Sequence, residues 1–145
     1  MTTTSSQGKT PIVLAYSGGL DTSFLVPWVA ENTGRPVITV TVDTGGIDLD
    51  AARTLAERSK ALGAIAHHQI DAKPAYFEQV LQFLIMGNVR RGNLYPLCVG
   101  AERVMQAQTI ARVARELGSD MIAHGCTAAG NDHMTNYFDW LAVQD

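Results

Sequence analysis

Short apolar runs alternate along the chain with stretches whose apolar positions recur every three or four residues. Ile12–Tyr16 is apolar at every position and runs into a glycine-rich turn, the pattern of a strand buried on both faces. Phe24, Leu25, Trp28 and Val29 then keep helical spacing up to Gly34. Pro27 removes a backbone donor about one turn in, so a helix with a slightly distorted start is expected. Val37–Val42 (VITVTV) follows a Gly-Arg-Pro turn and is the clearest strand, ending at Asp43-Thr44-Gly45-Gly46. From Asp48 onward Leu49, Ala52, Leu55, Ala56, Ser59 and Leu62 form one helical stripe that Gly63 closes. Ala64–Ile70 reads as a weaker strand. Phe77, Val80, Leu81 and Leu84 return to helical spacing up to Gly87-Asn88, and 87–96 reads as a loop. A long helix from about Gly100 carries Val104, Ala107, Ala111, Ala114 and Leu117 before Gly118, and Met121–His124 is a short last strand. All of these helix stripes are assigned to the core.

The order β-α-β-α-β-α-α-β calls for right-handed crossovers and hence a doubly wound, mostly parallel α/β sheet, a Rossmann-like three-layer α/β/α sandwich. Ligands of such sheets sit beyond the carboxyl ends of the strands, where strand order reverses. Three loops qualify by position: 17–23, 43–47 and 125–136. At 145 residues and 46% hydrophobic content the chain suits one domain, placed at 11–136. A polar tail, 1–10, expected to be disordered, precedes it. The tail 137–145 stops without a capping feature, as if cut short of a larger unit.

The formal charge of −3, with no block of Lys or Arg, argues against a nucleic-acid partner. No apolar run reaches the roughly 18 residues of a bilayer span, and no leader pattern is present, so no membrane role is expected. Cys98 and Cys126 are far apart and outside any metal-finger spacing. They read as reduced thiols of a cytoplasmic protein.

The chemistry concentrates in Ser17-Gly18-Gly19-Leu20-Asp21-Thr22-Ser23. Two glycines let the backbone turn tightly and aim successive N–H groups at one spot, and the helix behind them adds its positive dipole end. Ser17, Thr22 and Ser23 add hydroxyl donors, so the loop suits the phosphates of ATP. The competing reading is that Gly-Gly-Leu-Asp-Thr-Ser merely caps a helix, since each residue is a good turn or cap former. The whole heptad standing directly after a buried strand favours phosphate. Gly8-Lys9-Thr10 imitates the end of a Walker A loop, but Thr3 occupies the place of that motif's first glycine and the strand follows instead of preceding it.

Read as IVLAYSGGLDTSFLVPW, this segment resembles the pyrophosphate-binding signature of the N-type ATP pyrophosphatases, and its flanks resemble the argininosuccinate synthase family in particular. HGCTAAGND at His124–Asp132 is similar to that family's HGCTGKGND loop, and Leu94-Tyr95-Pro96-Leu97 to its Tyr-Pro-Leu segment. The resemblance spans about residues 11–134 and implies an adenine nucleotide alpha hydrolase-like fold and a ligation in which ATP adenylates citrulline before aspartate displaces AMP. It implies that Ala15, Tyr16, Ser17, Gly18, Gly19, Leu20, Asp21, Thr22 and Ser23 hold ATP, with Mg²⁺ as its counter-ion, that Val42 packs at the adenosine, and that Gly125 adds a backbone contact. Thr127, Asn131 and Asp132 would face aspartate, and Tyr95 citrulline. The resemblance also implies an oligomer held together by a long second domain, which is not expected within these 145 residues.

The departures fall on the citrulline end. Gly100 stands where the family has a serine and Thr135 where it has an arginine, and a hydroxyl does not replace a bidentate arginine on a carboxylate. The family's Gly-Lys-Gly is Ala128-Ala129-Gly130. ATP and aspartate are therefore better supported than citrulline. Three readings stand: a synthase-like ligase domain, a relative that adenylates another substrate, and a stand-alone ATP-binding module. No catalytic residue is assigned, and no metal ligands. His67 and His68 alternate across a strand and cannot share a metal; a structural or surface role is expected. His124 lies beside the loop region, His133 has no nameable partner, and Arg90-Arg91 reads as solvated surface. Asp48 and Asp50 suit a helix start more than a metal cluster with Asp43. Asp21 either orients the loop by accepting N–H bonds or helps hold Mg²⁺.

Overall fold

The computed structural model describes residues 9–126. Its elements are β1 (Ile12–Ala15), α1 (Leu20–Thr33), β2 (Val37–Asp43), α2 (Leu49–Ala61), β3 (Ala66–Asp71), α3 (Lys73–Tyr76), a π-helical turn (Phe77–Leu81), α4 (Gln82–Met86), β4 (Arg90–Arg91), β5 (Tyr95–Pro96), α5 (Cys98–Glu116) and β6 (Ile122–Ala123). Four strands form a sheet in the order β3-β2-β1-β6. β1 pairs in parallel with β2, Ile12 opposite Val37, and with β6, Val13 opposite Ile122. Beside β3, Ile65 N donates to Val37 O and Ala72 N to Asp43 O, so the two chains ascend together. The sheet is thus parallel and doubly wound in the Rossmann-like manner expected from the alternation of elements.

The described chain divides into two compact units, 9–41 with 47–69 and 112–125, and 42–46 with 70–111 and 126. In the first, one face of β1 (Ile12, Leu14 and, just beyond the strand, Tyr16) packs with Val26 and Val29 of α1, Val37 and Ala64. Burying side chains of this size stabilises by about 1.5–3 kcal/mol each, which accounts for the near-continuous apolar character of β1 and β2. At the other end of β1, Arg35 donates from Nε to Thr10 O at 2.8 Å and bonds Asp120, fastening the chain just ahead of the strand. Asp120 is held below the usual carboxylate range by that hydrogen bond from Arg35.

Several helix stripes differ from expectation. α1 buries Thr22, Val26 and Val29, while Leu20, Phe24 and Trp28, one turn apart, are exposed. The helix is apolar nearly all round, so its spacing alone did not reveal the inward side. Pro27 lies well inside α1, not near its start. α2 begins at Asp48, whose side chain accepts from Ala51 N at 2.8 Å, and ends before Gly63, which takes φ +101°. Leu49 is exposed all the same. In the second unit, the π turn inserts an extra residue per turn. It shifts the phase of the stripe, leaving Phe77 exposed while Tyr76 is buried. The stretch read as a loop contains a small antiparallel pair, β4 with β5, in which Arg91 faces Tyr95 in register. α5 starts at Cys98, two residues earlier than Gly100, and β3 begins at Ala66 instead of Ala64.

Candidate functional site

The sheet order reverses at β1: the chain moves outward through β2 and β3, then returns to β6 on the opposite side of β1. The carboxyl ends of β1 and β6 therefore flank the crevice that this topology opens for ligands. Residues 16–19 follow β1 and residues 124 and 125 follow β6, and Gly125 lies against the start of α1. A β-carbon on Gly125 would come within 3.1 Å of Thr22 Cγ2 and 3.6 Å of Asp21 Cβ. Glycine at 125 lets the backbone after β6 lie directly on the first turn of α1.

The β1–α1 loop is held from below. Tyr16 N donates to Val40 O at 2.9 Å and Thr41 Oγ1 donates to Tyr16 O at 2.6 Å, continuing the sheet into the turn. Gly18 takes φ +74°, which side chains resist, and its carbonyl accepts from Arg58 Nη1 at 2.9 Å. Gly19 is the N-cap of α1 with an ordinary φ of −71°, so only the first of the two glycines is demanded by its backbone angle. Ser17 Oγ and Thr22 Oγ1 lie 3.2 Å apart, and Tyr16 Oη and Ser23 Oγ 3.5 Å apart, so the hydroxyls of the loop share one neighbourhood.

No side chain hydrogen-bonds to cap α1, and helix geometry leaves the amides of Leu20, Asp21 and Thr22 without intrahelical acceptors. The first ladder bond is Ser23 N to Gly19 O at 3.0 Å. Asp21 is exposed, and among the described residues it takes no bond from the loop amides. Within the loop Gly19 N donates to Ser17 Oγ at 3.4 Å and Thr22 Oγ1 donates to Gly19 O at 3.4 Å, while the exposed start of the helix keeps several N–H groups without intrahelical acceptors.

Of the residues singled out by sequence, Ala15–Ser23 and Gly125 are brought together. Val42 is buried near the end of β2 and Tyr95 lies in β5, both in the second unit. Thr127, Asn131, Asp132, Ala128-Ala129-Gly130, His133, Thr135 and the tail 137–145 lie outside the described residues, as do residues 1–8. His124 is half-buried after β6. Among the described residues no cluster of three His, Cys, Asp or Glu could hold a metal, and no helix is long and apolar enough to cross a membrane. Cys98 and Cys126 are not joined in a disulfide, and burial pushes the Cys126 thiol up.

Sequence reading missed three supports. Arg58 reaches Gly18 from α2. His67 sets its ring edge-on to Tyr16, with centroids 6.0 Å apart. In the second unit Asp43 is buried, accepting from Lys73 Nζ at 2.7 Å and Gly45 N at 2.9 Å, which removes it from any metal cluster with Asp48. None of these pairs carries a local spacing signal.

A parallel sheet whose switch point opens on an uncapped helix behind a left-handed glycine defines a Rossmann-like nucleotide-binding domain. The family model described as arginosuccinate synthase N-terminal HUP domain matches residues 11–142, and the chain belongs to the argininosuccinate synthase family. It is 43% identical over 127 residues to an argininosuccinate synthase of Pyrobaculum aerophilum, covering 88% of this chain and 32% of that protein. It is 42% identical over 123 residues to the Pyrococcus furiosus enzyme, covering 85% and 30%. A Xanthomonas axonopodis relative is 40% identical over 139 residues, covering 96% and 32%. The chain thus spans about a third of the length of these relatives. Among solved structures, a NAD+ synthetase from Burkholderia pseudomallei aligns with 93% of this chain and 62% of its own at 16% identity, TM-score 0.48.

Proposed function

We propose that the chain binds ATP through Ala15–Ser23, with Gly125 against the nucleotide, and serves the ligation of citrulline and aspartate to argininosuccinate, AMP and diphosphate. The observation that carries this reading is the uncapped N-terminus of α1 behind Gly18, on which Gly125 lies. In the reaction the ureido oxygen of citrulline attacks the α-phosphorus of ATP and diphosphate leaves. The aspartate amine then attacks the activated carbon and AMP departs. Negative charge grows on the leaving diphosphate, and fixed donors stabilise most where charge develops. The amides of Leu20, Asp21 and Thr22 with the hydroxyls of Ser17, Thr22 and Ser23 suit that task. Mg²⁺ bound to the phosphates would find one carboxylate, Asp21. Thr127, Asn131 and Asp132 are assigned to aspartate and Tyr95 to citrulline.

Gly100 and Thr135 favour a second reading, in which another carbonyl or ureido compound is adenylated. Titrating the chain with ATP, AMP and diphosphate, with and without citrulline or aspartate, tests the first proposal against Gly18→Ala and Ser23→Ala. Equal binding by all three proteins would remove the basis for the loop assignment. Citrulline-dependent diphosphate release that appears on Gly100→Ser with Thr135→Arg supports the synthase reading, and release with some other substrate supports the second. A serine β-carbon fits at position 100, where the nearest atom, Leu97 Cδ1, is 4.0 Å away.

A further inference from the structure

His67 belongs to no part of the reaction, yet it stands behind the loop that the proposal assigns to ATP. Its Nδ1 lies 2.9 Å from Thr39 Oγ1, and Thr39 is itself fastened to Ser59 of α2 at 2.5 Å. Thr39 and Ser59 are fully buried, so the imidazole is anchored to the centre of the sheet. The ring meets Tyr16 edge to face, with an interplanar angle of 81°. Tyr16 is buried, its backbone is held by Val40 and Thr41, and its hydroxyl is 3.5 Å from Ser23 Oγ. That separation is at the long limit of hydrogen bonding, of the kind that closes when a ligand engages one partner.

We infer that His67 is a positioning residue for the nucleotide loop, fixing the Tyr16 ring so that its hydroxyl orients Ser23. The inference rests on the ATP reading of that loop. It also makes the loop sensitive to acid. Nε2 of His67 is buried and has no hydrogen-bond partner among the described residues. An imidazolium would place a second charged donor there with no acceptor, an arrangement that costs free energy. The charged groups whose fields reach the ring are His68 of β3 and Lys60 of α2, and both oppose a positive charge on it. Burial, then His68 and Lys60, hold the His67 pKa below its usual value. Once protonated, the ring is expelled toward water and Tyr16 loses its side support.

The test uses the full chain. NMR spectra followed from about pH 8 to about pH 5 without nucleotide should show the Ser23 amide signal tracking the His67 titration in the wild type and no longer doing so in Tyr16→Phe. At neutral pH, His67→Ala should weaken ATP binding about three- to tenfold, the worth of one ordinary hydrogen bond. His67→Phe, which retains a ring edge against Tyr16 and cannot be protonated, should recover most of that loss and bind with a flatter acid profile. In a Tyr16→Phe background His67→Ala should add little. A Ser23 signal indifferent to His67, or fully additive losses, would overturn the inference. A wild-type chain that takes up no ATP refutes the loop assignment instead, and the nucleotide-free spectra still decide whether His67 sets Ser23.

Discussion

Gly18→Ala separates the mechanical role of the loop from its role toward phosphate. At φ +74° an L-residue costs about 1–2 kcal/mol relative to glycine. The new β-carbon would also overlap Leu55 Cδ2, with Leu55 Cγ at 3.7 Å. That methyl ends a flexible side chain on α2, so the clash is relieved by moving Leu55 off its rotamer, for about 0.5–1.5 kcal/mol. Leu55 is partly buried against the cluster of Ile12, Leu14 and Tyr16, so part of the cost appears as poorer packing there. The two contributions sum to about 1.5–3.5 kcal/mol. Urea denaturation of the full chain measures it, as a lower midpoint with unchanged slope. Adding Leu55→Ala to Gly18→Ala should abolish the steric share and leave the backbone share, so the two substitutions should be non-additive. A Gly18→Ala protein within about 0.5 kcal/mol of the wild type would refute the left-handed geometry, and fully additive substitutions would refute the contact with Leu55.

Asp48→Ala removes the side chain that accepts from Ala51 N and should cost about 0.5–2 kcal/mol in urea unfolding, while Asp50→Ala, in the first turn without that bond, should cost less. Asp43→Ala leaves the Gly45 amide without its 2.9 Å acceptor and deprives Lys73 of the nearer of its two carboxylates, leaving Asp71 at 3.5 Å. A loss of about 1–3 kcal/mol is expected, and Lys73→Ala, which leaves the buried Asp43 carboxylate without its cation, should also destabilise. Burial, with lesser contributions from Glu102 and Cys98, pushes Tyr76 up to about 12. A raised folded-state pKa means that the unfolded phenol ionises first, so stability is fully present below about pH 10 and falls as pH rises toward 12. Tyr76→Phe should remove that contribution to the alkaline decline and lose the 2.7 Å bond to Cys98 O, a cost of about 0.5–1.5 kcal/mol. A chain whose alkaline unfolding is unchanged by Tyr76→Phe would contradict the assignment.

The parts of the fold legible in the sequence are those whose cause is local. VITVTV cannot pack well as a helix, an acid at position 48 caps the helix that follows it, and a left-handed glycine at 63 ends it. The turn at Gly18 likewise carries its own signal, because a left-handed backbone angle favours glycine. Where the spacing was ambiguous, as along α1 and through the π turn, only packing decided which apolar residues turned inward, and Phe24, Trp28 and Phe77 were left in water. The strand order, the approach of Gly125 to Thr22, the reach of Arg58 to Gly18 and the wedge of His67 behind Tyr16 join residues far apart in the chain. Loop closure between such partners depends on the whole set of contacts formed at once. No window of sequence contains it, so these features belong to the tertiary structure alone.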